Sequence, residues 1–205
     1  IEGRTLSRFI RPDKQLPQRT VAALVRKLSR ALGHAHDKGI IHRDLKPGNV
    51  MIDRQNEPII MDFGLARRID QSDQSRVTQE GMILGTPAYM SPEQVSGNLD
   101  ATGPQSDIYS LGVMCYELLT GEIPFRGPIM AVLAQIMTQE PPSPAELRPD
   151  LDPQLEAICL KMMAKNCEDR YKAMKEVSAA LAAFLKGKTD PSTSEKSRTE
   201  KNRSV

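Results

Sequence analysis

Cysteine is scarce in this chain and forms no pattern. Its 205 residues include three, Cys115, Cys159 and Cys167, with no CxxC pair and no histidine at metal-ligand spacing. This excludes a disulfide framework and a zinc site, and reads as reduced thiols in a cytosol-like compartment. No apolar run approaches the roughly 20 residues needed to span a bilayer, and no secretory leader pattern opens the chain. A strong excess of one charge is missing too. The formal net charge is +2, too small to make nucleic acid or an anionic membrane the main partner. The first residue is Ile1 rather than methionine, so the chain reads as a piece of a longer protein.

What is present suits one soluble domain. Hydrophobic residues make up 39% and charged residues 26%, an ordinary globular balance. Thr20 stands before Val21, Leu24, Val25, Leu28, Leu32 and Ala35, which predicts an amphipathic helix with Thr20 as its N-cap and Gly39 beyond its end. Asn49–Ile52 and Pro58–Met61 predict a hairpin closed by the polar turn at 53–57. From Ala66 to Gly85 no period survives, as in a loop. Helical spacing resumes over Asp107–Leu119, Pro128–Met137, Leu155–Met163 and Met174–Leu185. The first of these is apolar nearly all round and should lie buried at the centre. From Lys186 to Val205 there are six Lys/Arg, three Asp/Glu and no hydrophobic face, which predicts a polar linker.

The chemistry concentrates in His42-Arg43-Asp44-Leu45-Lys46-Pro47-Gly48-Asn49. Phosphoryl transfer needs positioning and charge neutralisation more than covalent help. An aspartate can take the proton of an attacking hydroxyl, a lysine two residues on can meet the transferring phosphate, and an asparagine three further can offer oxygen to magnesium. Those residues are Asp44, Lys46 and Asn49. Any pair of them alone would be an ordinary polar loop; the filled eight-residue run is not. Thirteen residues after Asn49 comes Asp62-Phe63-Gly64, an acid at a strand end before a conformationally free glycine, suited to a hard cation bridging phosphate oxygens.

With Gly85-Thr86-Pro87-Ala88-Tyr89-Met90-Ser91-Pro92-Glu93 following in order, residues 1–185 resemble the eukaryotic-type (Hanks-type) protein kinases, and more narrowly their bacterial serine/threonine members. The resemblance implies Asp44 as catalytic base, Asn49 and Asp62 as magnesium ligands, and Lys46 as the lysine marking serine/threonine specificity. It implies that Thr86 hydrogen-bonds Asp44 and Lys46, and that Glu93 pairs with Arg170 although Ser91 replaces the usual alanine before Pro92. Asp107 would anchor the catalytic loop from the central helix, and His42 and Phe63 would stack as hydrophobic-spine residues. Arg43 would bind a phosphate placed on the loop before Glu93, where Ser72, Ser75 and Thr78 are candidate acceptors; solvated hydroxyls are the plainer reading of each. His34 and His36, two apart on one helix, face different ways and make no shared metal site. His36 should pack or hydrogen-bond at the helix end. The later methionines read as core filler.

The family's ATP-clamping small lobe has no counterpart here. No GxGxxG occurs, no VAIK-like strand precedes the catalytic loop, and Ile1–Leu6 resembles the segment just after the hinge. The tetrapeptide Ile1-Glu2-Gly3-Arg4 also matches a protease-recognition site, but the resemblance gives it a native place.

The expectation is therefore a mainly α fold with a small β-hairpin (α+β), the large C-terminal lobe of a kinase at 1–185 with a tail at 186–205. Its cofactors would be ATP with Mg2+, or Mn2+ in its place. Its partners would be proteins bearing Ser or Thr, with a dimer open to the parent protein, and its location cytoplasmic, any membrane anchor lying beyond this chain. Without the second clamp the chain alone should transfer phosphate weakly or not at all. The alternative is a truncated, non-catalytic lobe that docks proteins.

Overall fold

The computed structural model describes residues 2–63, 87–98 and 101–187. Its organising element is the helix Pro104–Thr120, the third helix in chain order (α3). Its residues are buried from Ser106 to Thr120 except Glu117. The all-round apolar sequence of this helix leaves no face for solvent, so other helices must surround it.

Helix α1 (Gln18–His36) packs lengthwise on α7 (Met174–Lys186), while α1 and α6 (Pro153–Met162) both pack on α3. In the apolar stripe of α1, Val21, Val25, Leu28 and Leu32 are fully buried in one continuous core with Leu111, Met114, Leu155, Met162, Val177 and Leu181, and Leu24 packs half-buried against it. Two single-turn helices, α2 (Pro92–Val95) and α5 (Pro144–Leu147), and the ten-residue α4 (Ile129–Thr138) complete the α-helices among the described residues, beside four short 3-10 turns. A second, smaller cluster of Phe125, Val132 and Ile136 lies under α4. Among the described residues no helix is long and apolar enough to cross a membrane.

The spacing of α3 and α6 depends on Gly112. A Cβ built there would lie 2.8 Å from both Met162 Cβ and Met163 Cγ, and the Gly112 carbonyl accepts a long bond (3.6 Å) from the Cys159 thiol. Gly112→Ala should therefore destabilise the fold by about 1–3 kcal/mol through overpacking, against an intrinsic helix gain of about 1 kcal/mol. Urea unfolding would measure the balance, and a net gain would mean that α6 shifts freely.

Two expectations need correcting. The first helix starts at Gln18, with Pro17 at its N-cap and no side-chain cap; Thr20 lies in the first turn. Tertiary contacts fix this end instead, since Gln18 Nε2 donates to Asp150 O (2.7 Å) and Gln18 Oε1 accepts from Asp152 N (2.8 Å). The hairpin, β2 (Val50–Asp53) with β3 (Pro58–Ile60), gains a third antiparallel strand, β1 (Gly3–Thr5), in the order β1-β2-β3. Three polar or small residues give no period, so only the pairing partner reveals the strand. Gly3 suits it because a Cβ there would sit 2.4 Å from Ile52 O.

Candidate active site

The loop between α1 and β2 is held from below by one carboxylate. Asp107, in the first turn of α3 and fully buried, accepts from the backbone N–H of His42 at 2.9 Å and of Arg43 at 2.8 Å. His36 Nε2 reaches the same carboxylate at 2.7 Å. Three such partners offset the cost of burying a charge. Arg43 and Asp62 both adopt left-handed backbone, φ 64° and 62°, a conformation that costs a non-glycine residue about 1–3 kcal/mol and persists only where surroundings enforce it.

Within the loop, Asp44, Lys46 and Asn49 converge. Lys46 Nζ lies 2.9 Å from Asp44 Oδ2, and Asn49 Nδ2 donates to Asp44 O (2.8 Å) and Oδ2 (3.2 Å). The asparagine thus spends its nitrogen on Asp44, leaving its oxygen as the end able to meet a cation. Met61 N donates to Asn49 O at 2.8 Å, which extends the ladder past the open end of the hairpin, where Asn49 precedes β2 and exposed Asp62 follows β3. His42 Nε2 sits 2.9 Å from Met61 O, and Asp44 N donates to His42 Nδ1 at 3.3 Å. These partners assign the ring hydrogen to Nε2. Phe63 meets the His42 ring edge-on at a centroid distance of 4.9 Å.

The donors suit a hard cation. Among the described residues no three His, Cys, Asp or Glu cluster as a metal cage. The Asn49 amide oxygen and the exposed Asp62 carboxylate are oxygen ligands of the kind that would hold a hard cation such as magnesium.

Beyond the loop, Glu93 and Arg170 form a buried bidentate pair at 2.8 and 2.9 Å, and Ser106 Oγ donates to Glu93 Oε1 at 2.7 Å. Burial alone would raise the Glu93 carboxyl, but Arg170 and Ser106 outweigh it and hold the group below the ordinary carboxylate range. The unfolded carboxyl therefore takes its proton first as pH falls. Stability present above the ordinary range is lost as pH drops through the lowered folded value. Glu93→Gln should flatten that acid limb, read by thermal melts between about pH 3 and 6.

Sequence reasoning missed two groups. Tyr89 Oη donates to Glu117 Oε2 at 2.7 Å, with desolvation raising both groups above their usual values. A single acid inside the apolar run of α3 was the available signal. Gln94 donates to Arg43 O at 2.7 Å, and no sequence signal pointed to it. Gly64, Thr86, Ser72, Ser75 and Thr78 lie outside the described residues.

The profile of the family described as "Protein kinase domain" matches residues 1–181. The chain is 39% identical over 188 residues to serine/threonine-protein kinase PknB of Mycolicibacterium smegmatis, covering 91% of this chain and 30% of that protein. It matches PknB of Mycobacterium leprae with the same identity and coverage. A probable serine/threonine-protein kinase of Streptomyces coelicolor is 38% identical over 189 residues, covering 91% of this chain and 28% of the relative. The chain thus spans less than a third of the length of these curated relatives. The chain belongs to the protein kinase domain family, among its bacterial serine/threonine members.

Proposed function

We propose that this chain is the large, C-terminal lobe of a serine/threonine protein kinase, at about 1–185, and that it transfers the γ-phosphate of ATP to Ser and Thr hydroxyls of proteins. The convergence of Lys46 Nζ and Asn49 Nδ2 on Asp44 Oδ2, at 2.9 and 3.2 Å, is the observation that supports it most.

Asp44 accepts the hydroxyl proton as attack proceeds, Lys46 stands beside the same carboxylate to meet the moving negative charge, and Asn49 with Asp62 would hold magnesium. The metal neutralises the phosphate charge when bound. By the family resemblance Thr86 would hydrogen-bond Asp44 and Lys46, and Arg43 would receive a phosphate placed on Ser72, Ser75 or Thr78. Glu93, Arg170, Asp107, His42, Phe63 and Gly64 support these groups without touching phosphate. The docking-module alternative has no use for a carboxylate ordered by a lysine and an amide.

The test is radiolabelled phosphate transfer from ATP and magnesium to a generic protein substrate. It compares the chain alone with the chain fused behind the glycine-rich lobe of a bacterial serine/threonine kinase. Positioning is worth about 7–11 kcal/mol where reactants are clamped from two sides. Activity should therefore be weak or nil in the chain alone and strong in the fusion. A folded fusion that stays silent even after its loop hydroxyls are phosphorylated would overturn the enzyme reading; silence relieved by that phosphorylation would mark a kinase awaiting its activating phosphate.

A further inference from the structure

Arg43 is the residue before the proposed base, and its backbone is left-handed at φ 64°. A residue in that region relaxes to the right-handed or extended basin unless its flanking peptides are held. Both are held here. Its N–H donates to Asp107 Oδ1 at 2.8 Å, and its C=O accepts from Gln94 Nε2 at 2.7 Å.

The two clamps differ in origin. Asp107 belongs to the central helix, whereas Gln94 belongs to the single turn of α2, far along the chain. That turn is itself anchored. Glu93, the neighbour of Gln94, is tied to Arg170 and Ser106, and Gln94 Oε1 accepts from Ser91 N at 3.0 Å. The Gln94 amide therefore has one defined orientation. Its oxygen faces an N–H and its nitrogen faces a carbonyl, so a flip would set like against like at both ends.

We infer that Gln94 is a positioning residue, a strut from the Glu93–Arg170 anchor to the Arg43 carbonyl that fixes the aim of Asp44. The peptide group it grips is the one whose N–H belongs to Asp44, and that N–H donates to His42 Nδ1. Releasing the carbonyl lets this one peptide plane swing, and Asp44 swings with it. The inference rests on reading Asp44 as the base, but the grip itself is measurable without turnover.

Gln94→Glu separates the two jobs of the side chain. Glutamate at this position keeps an oxygen for Ser91 N, as in the common capping box, yet has no donor for Arg43 O and repels it. Gln94→Ala loses both contacts and serves as the comparison. In this chain, the Asp44 amide of Gln94→Glu should exchange with solvent about tenfold faster at a melting temperature near that of wild type. In the small-lobe fusion, kcat should fall about tenfold with the KM for ATP unchanged, since misaim of a base costs rate rather than nucleotide affinity. Wild-type amide exchange and wild-type kcat in Gln94→Glu would overturn the inference. Faster exchange in the variant beside a wild-type fusion that transfers no phosphate even after its loop hydroxyls are phosphorylated would uphold the strut and overturn the kinase reading.

Discussion

Asp44→Asn is expected to lower phosphate transfer about 100- to 10,000-fold, the usual worth of a positioned general base, while leaving the fold intact. The reason for the split lies in exposure. The Asp44 side chain is 44% exposed and Lys46 31%, and ion pairs in such surroundings contribute about 0–1 kcal/mol. Asparagine has the same shape and can turn its oxygen to Lys46 and Asn49, so the loop loses a proton acceptor and little else. Initial rates in the small-lobe fusion, with thermal melts on the same samples, would measure both effects. A variant that kept a tenth or more of the wild-type rate would remove Asp44 from the role of base. If the rate and the melting temperature fell together, the carboxylate would be a structural group instead.

Arg170→Ala carries the largest expected loss of stability. Arg170 is 2% exposed, and besides Glu93 its guanidinium donates to Ala164 O (2.7 Å), Gln105 O (3.0 Å) and Lys165 O (2.9 Å). It also lies 5.0 Å from the centroid of the Tyr109 ring. Removing it leaves three carbonyls without this donor and the buried Glu93 carboxylate with Ser106 but no counter-charge. Breaking a buried pair from one side costs about 3–5 kcal/mol, or roughly 6–20 °C in melting temperature for a domain of this size. Replacing Glu93 and Arg170 together by apolar residues of similar volume should recover much of that loss, because no charge is then left unpaired. Denaturant unfolding of both variants would decide it. A single variant within about 1 kcal/mol of wild type would mean that water enters and solvates the carboxylate.

The two predictions act on opposite ends of one chain of contacts, and the sequence displayed those ends unequally. Periodicity announced α1, α4, α6 and α7, because helices that bury one face must space their apolar residues by the turn, whereas α3 was legible as an unbroken apolar run long enough for a buried helix. The hairpin was legible from its polar turn between two apolar runs. β1 was not, because Gly3, Arg4 and Thr5 form a strand only through the β2 edge they meet. The start of α1 was misread for a related reason, as Gln18 is tied to residues more than a hundred positions away. At the site, Asp44, Asn49 and Asp62 stood out because their chemistry is rare at that spacing. Gln94 did not, since an amide that holds a carbonyl looks like any surface amide until the fold supplies the carbonyl.

The third strand also sets how load travels through the molecule. Its rungs run antiparallel, pairing Gly3 with Asp53, Arg4 with Ile52 and Thr5 with Met51. A pull on Glu2 away from the sheet strips them in that order, from the turn inward, and meets Leu6, 1% exposed, as the final anchor. Asn49 lies two residues past the last rung. The ladder is thus a mechanical fuse, which yields rung by rung at its outer end before tension arrives at the residue beside Asp44.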